Sequence, residues 1–177
     1  MKKLVFILFS FVLFTSSNVV VMRDQSEEAS AKIKSIYIYN FTKYIEWPDN
    51  YKQGNFVIGF MGTNSALLGE LSKMSQAKKV GNQSIEIKNI SSVDDATKFN
   101  IIFILSDNST QLNEVLSKVK SKSTLIVTEK PGLAKQGAGI NFVIVENKQK
   151  IELNKTNIEK YKLKVATSLV EMAVPVN

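Results

Sequence analysis

The sequence predicts an α/β domain: three layers, with a mixed, mostly parallel sheet, helices on both faces, and a C-terminal β-hairpin followed by a helix. Three observations predict it. Short, nearly all-apolar runs at residues 55–62, 100–106 and 124–129 have the continuous hydrophobicity of strands buried on both faces. Segments with apolar residues at three- and four-residue steps separate them, the pattern of strands joined by helical crossovers. Near the end, Ala138–Asn154 reads as two alternating runs around Glu146-Asn147-Lys148, which signals a hairpin and hence an antiparallel part.

The first residues stand apart from that domain. Lys2 and Lys3 give a basic start, Leu4 to Phe14 is almost unbroken apolar sequence, and Thr15, Ser16 and Ser17 are small. That order is expected of a secretory signal peptide cleaved after Ser17. It assigns 1–17 to the signal, 18–24 to a short leader and 25–177 to a single domain. An uncleaved anchor is the alternative, because Val19 to Met22 extends the apolar character. The uninterrupted run is short against the ~20 residues of a membrane span. No cysteine follows it, so a lipid-anchored form is excluded. The mature protein is expected in the periplasm.

From Gln25 to Trp47, apolar residues at helical spacing predict a first helix, with Ile33, Ile36, Tyr37, Phe41 and Tyr44 as its buried stripe. Pro48 ends it, because the residue before a proline is pushed out of the helical region. The stretch YNFTKYIEWPDN, residues 39–50, carries four aromatic side chains, including the chain's only tryptophan, Trp47. Asn64 or Ser65 can cap a helix over 66–77. Residues 83–90 alternate and read as a strand, 93–99 as one or two helical turns, and Ser109 opens a helix with Leu112, Val115, Leu116 and Val119 on one face. After Asn154, a last helical stretch has Ile158, Tyr161, Leu163, Val165, Leu169, Val170 and Met172 as its apolar positions.

At 177 residues, 44% hydrophobic and 22% charged, the chain can bury a core of its own. Its formal charge is +7, or +5 once Lys2 and Lys3 are removed. The lysines are spread along the sequence rather than clustered, so no nucleic-acid partner is expected. There is no cysteine and no histidine. Disulfides, thiol catalysis, thiolate metal sites and histidine-based acid–base work are therefore excluded. Asp94-Asp95 and Glu27-Glu28 are adjacent pairs, not carboxylates facing a shared substrate. No catalytic residue, metal or cofactor is expected. Five Asn-x-Ser/Thr triplets arise by chance in so Asn- and Ser-rich a chain, and GLAKQGAG (132–139) lacks the Gly-Lys-Ser/Thr ending of a phosphate loop.

Two surfaces remain as candidates. In an open parallel sheet ligands bind beyond the carboxyl ends of the strands, so Thr63, Ser106, Asp107, Thr128 and Glu129 form an expected ligand rim. Aromatic and aliphatic anchors suit a protein interface, and here the candidates are Tyr39, Trp47, Tyr51, Val170 and Met172.

KIKSIYIYNFTKYIEWPDN, FVIGFMG, NIIFILS, TLIVTEKPGLAKQGAGINFVIVENKQKIELN and YKLKVATSLVEMA together resemble the YfiR family of exported bacterial proteins. The most specific parts are Tyr39–Pro48, the Gly-x-x-Ile-Asn-Phe block at Gly137–Phe142, and Ile151–Asn154. The resemblance implies a periplasmic regulator that restrains an inner-membrane signalling protein, a diguanylate cyclase or a sensor histidine kinase, by contacting its periplasmic part. It does not exclude a homodimer. The absence of cysteine departs from relatives for which disulfide control has been suggested. The alternative reading is a periplasmic small-molecule-binding module that uses the strand-end rim.

Overall fold

The computed structural model describes residues 17–176, with side chains from residue 25 onward. Except for Ser17, the expected signal peptide lies outside the described residues. The elements are α1 (Ser17–Tyr44), β1 (Ile45–Glu46), β2 (Phe56–Met61), α2 (Ser65–Ala77), β3 (Lys79–Val80), β4 (Gln83–Asn89), β5 (Ile101–Ile104), α3 (Leu112–Lys118), β6 (Leu125–Thr128), β7 (Ile140–Val145), β8 (Lys148–Leu153), α4 (Lys155–Lys160), β9 (Lys164–Val165) and α5 (Thr167–Met172). Short 3-10 turns occupy Asp49–Tyr51, Val93–Lys98 and Ser106–Gln111.

The fold class is the expected one. Seven strands pair in the order β3-β4-β2-β5-β6-β7-β8. The run from β4 through β7 is parallel, and the edge strands β3 and β8 are antiparallel to their neighbours. The chain leaves β2 through α2 for β4 on one side, then returns across β2 to β5. Right-handed crossovers in opposite directions place their connections on opposite faces. Thus α2, packed against α1, covers one face, and the 93–98 turn with α3 covers the other. The α1 face is an aromatic stack: Phe60, Phe103 and Phe142 follow one another at 5.7–5.8 Å, and Phe41 and Tyr37 lie on Phe142 at 6.0 and 5.8 Å. On the other face Gly59 admits no side chain, because a Cβ there would stand 2.5 Å from Ile90 and 2.7 Å from Phe99.

Several local expectations are corrected. The first helix, expected from Gln25, begins at Ser17. At its other end it stops at Tyr44, three residues short of Trp47, because Ile45 and Glu46 pair with Val165 and Lys164. The Tyr44 carbonyl, left without a helical donor, accepts from the Ala166 N–H at 2.8 Å. The buried stripe is also rotated. Ala31, Ser35, Ile38, Phe41 and Ile45 are buried, Tyr37 and Tyr44 are half-buried, and Ile33 and Ile36 are 42% and 51% exposed. Both phases share the helical period and both include Phe41, which is buried as expected; the observed phase has Ala31, Ser35 and Ile38 in place of Ile33 and Ile36.

The last helical stretch is in fact three elements. Helix α4 ends at Lys160, Lys162 adopts a left-handed conformation (φ 60°), and β9 pairs with β1 before α5 begins. The hairpin is as read: Glu146 and Asn147 both have positive φ, the two-residue turn that matches strand twist. Asn64 caps α2, its Oδ1 accepting from the Leu67 N–H at 2.8 Å.

Candidate interaction surface

The strand-end rim is largely engaged within the fold. The Thr128 side chain is fully buried, and its hydroxyl donates to Asn141 Oδ1 at 2.7 Å. Asn141 Nδ2 in turn donates to the buried Glu152 carboxylate at 2.9 Å. Lys34 of α1 reaches Glu129 at 2.7 Å with both side chains mostly covered, and the Ser106 N–H donates to the other Glu129 oxygen at 3.2 Å. The Ser106 hydroxyl donates to the Glu129 carbonyl at 3.4 Å. Thr63 and Asp107 are exposed. The five rim residues therefore divide into two free surface positions and three that hold α1, β5, β6 and β7 together.

The interface candidates also occupy different environments. Trp47 is only 4% exposed and meets Phe56 edge-on at 4.9 Å. Its Nε1 is buried and has no acceptor among the described residues. Tyr51 is half-buried, and its hydroxyl accepts from the Ser123 N–H at 3.0 Å. Tyr39 is half-buried, its ring 4.6 Å from Lys43 Nζ and 6.0 Å from Lys78 Nζ, while its hydroxyl donates to the Lys79 carbonyl at 3.5 Å. On α5, Val170 packs partly into the core, and Met172 is 52% exposed.

The β1–β9 pair brings the chain's aromatic block beside its C-terminal part and borders a surface cavity of about 690 Å³. Its wall includes Tyr44, Ile45, Trp47, Phe56, Val80 and Val165, and the lysines lining it are Lys43, Lys52 and Lys164. Gln83, also in the wall, is buried and donates to the Tyr51, Gln53 and Gly54 carbonyls at 3.1–3.3 Å, which fixes the loop that closes one side. Lys52 pairs with Asp49 at 2.7 Å; that hydrogen bond and charge raise the lysine's pKa and lower the aspartate's. Lys164 lies 3.8 Å from Glu46, with both side chains well exposed. A second cavity, of about 460 Å³, lies between α1 and α2 beside Glu28, Lys32, Glu70 and Lys73.

Sequence reasoning missed Lys43, Gln83, Lys164, Asn141 and Glu152. For the last two a signal exists. Counting outward from the Glu146-Asn147 turn pairs 145 with 148 and, four steps on, 141 with 152, so two polar residues face each other inside apolar strands. The cavity has no such local signal, because it depends on a pairing between residues about 120 positions apart.

Fold and surface together define an α/β domain that presents an apolar wall rimmed by cations. The family model described as YfiR/HmsC-like matches residues 31–174. The chain belongs to that family, whose members are regulators rather than enzymes. No curated protein matches the chain. Among the described residues no helix is long and apolar enough to cross a membrane.

Proposed function

We propose that the chain is a periplasmic regulator that binds the periplasmic part of an inner-membrane diguanylate cyclase or sensor kinase and restrains its output. The observation that carries this reading is the family match over residues 31–174. The ordered basic, apolar and small-residue segments at the N-terminus support export. The missing cysteine and histidine support action by stoichiometric binding rather than by catalysis. A domain of this size can offer an interface of standard area, ~1,600 Å² in total.

The test is deletion of the gene in its native host. Cyclic-di-GMP levels or kinase-dependent transcription should rise, and tagged protein should recover one membrane signalling protein in stoichiometric amount. Unchanged outputs together with no recovered sensor would remove the reading. N-terminal sequencing of native material should find a start near Asn18; membrane-bound protein that retains Met1 would contradict cleavage.

A further inference from the structure

We infer that the cavity beside β1 and β9 receives the partner, and that the occupant is an extended segment alternating apolar and acidic residues. The inference rests on the regulator reading above and adds to it a surface and a chemistry. Four features of the cavity point the same way.

The first is charge. Three lysines line the cavity, Lys43, Lys52 and Lys164, against one carboxylate, Glu46. Lys78 and Lys79 stand close by through their contacts with Tyr39. Among the described residues no carboxylate pairs with Lys43, Lys78 or Lys79. Of the lining lysines, Lys52 is paired with Asp49 and Lys164 lies near Glu46, so Lys43 is the one without a carboxylate partner among the described residues. Lys43 and Lys78, both over the Tyr39 ring, thus place unpaired positive charge beside the cavity.

The second is the wall. The half-buried Tyr44, Val80 and Val165 are its accessible apolar surface, with the buried Trp47 and Phe56 also lining it, and aromatic residues are the usual energetic centres of interfaces. The third is Trp47 Nε1. A buried donor without an acceptor is rare in a finished fold and asks for an explanation. Trp47 is a wall residue of this cavity, which places the unused donor beside the proposed occupant.

The fourth feature selects a peptide over a small anion. Among the described residues strands β1 and β9 pair only with each other, so each has an outer edge without a strand neighbour there. A partner segment can add there as a further strand, with main-chain hydrogen bonds for affinity and side chains for specificity. Along an added strand, alternate side chains point to opposite sides. Apolar ones would enter the cavity and acidic ones would meet the lysine rim.

Trp47 is the chain's only tryptophan, so its emission reports on the cavity directly. The whole protein is titrated with a ten-residue peptide alternating glutamate and leucine, and with the same peptide carrying lysine for glutamate. The acidic peptide should change the emission and bind at least tenfold more tightly, with an affinity that weakens as salt rises. The double variant Lys43→Glu, Lys164→Glu should lose at least tenfold in affinity, and Lys148→Glu on the distant hairpin should lose nothing. Both lysines are exposed, so these variants should fold, and circular dichroism checks that they do. The milder Lys43→Gln, Lys164→Gln pair should give an intermediate loss. Equal binding of the two peptides, or indifference to the double reversal, overturns the inference. Benzoate reproducing the full response at the peptide's own affinity overturns it in favour of a small-anion site. Capture from native membranes separates this inference from the reading beneath it. If the wild type and the double variant recover the same signalling protein equally, regulation stands and the partner docks elsewhere. If neither recovers one, regulation falls, and the peptide titration still decides the cavity.

Discussion

Phe41 and Trp47 stand six residues apart in one aromatic block, yet they play different parts. Phe41 is fully buried between Tyr37 and Phe142, so its ring joins α1 to the sheet. Phe41→Ala removes that joint and should cost ~3–5 kcal/mol, measured as a shift in urea unfolding; a cost near zero would mean the helix is held some other way. Trp47 is as well covered, but its donor is unused. Tyr161 offers a check by pH. Burial pushes its phenol above the ordinary value. The fold therefore holds the neutral form, while the unfolded chain ionises near pH ~10. That contribution is intact below about pH 10 and is lost as pH rises through the raised value. Unfolding followed from pH 8 to 11 should show stability falling at the alkaline end, with a shallower fall in Tyr161→Phe.

At the level of elements, the sequence is legible wherever a local pattern settles the structure. The apolar runs became β2, β5 and β6, the turn at Glu146-Asn147 set the hairpin register, and Asn64 capped α2. Legibility fails where a distant pairing overrides local preference. Periodicity alone could not choose between the stripe through Ile33 and Ile36 and the one through Ala31 and Ile38, because both have helical spacing. Nor could it show that residues 158–172 break into three elements, since β9 exists only by pairing with β1. The candidate site divides in the same way. Its aromatic residues stood out in the sequence, whereas the lysines that join them come from separate elements. The polar ladder Thr128–Asn141–Glu152 makes an element-level prediction. Asn141→Ala strands the Glu152 carboxylate without its donor and should cost at least about 2 kcal/mol. Gly59→Ala on the other side of the sheet forces a Cβ into Ile90 and Phe99 and should cost about 1–3 kcal/mol. Chemical denaturation measures both, and a neutral result at either position would contradict the packing described for that face.

For the whole molecule, the two-residue pair β1–β9 matters more than its length suggests. It fastens the end of the first helix to a segment near the C-terminus, about 120 residues later. Leu163 and Leu169, on either side of β9, are buried in the core. If the chain crosses a membrane N-terminus first, α1 and the aromatic block arrive early and wait for the piece that closes them. During that interval Ile45, which pairs with Val165 in the finished fold, has no partner strand. Contacts between residues so far apart slow folding, and exposed apolar surface in an incomplete chain invites aggregation. The last stretch of sequence thus acts as a completion signal: a chain cut short before Lys162 should be cleared or aggregate, though every strand of the large sheet is already present in it.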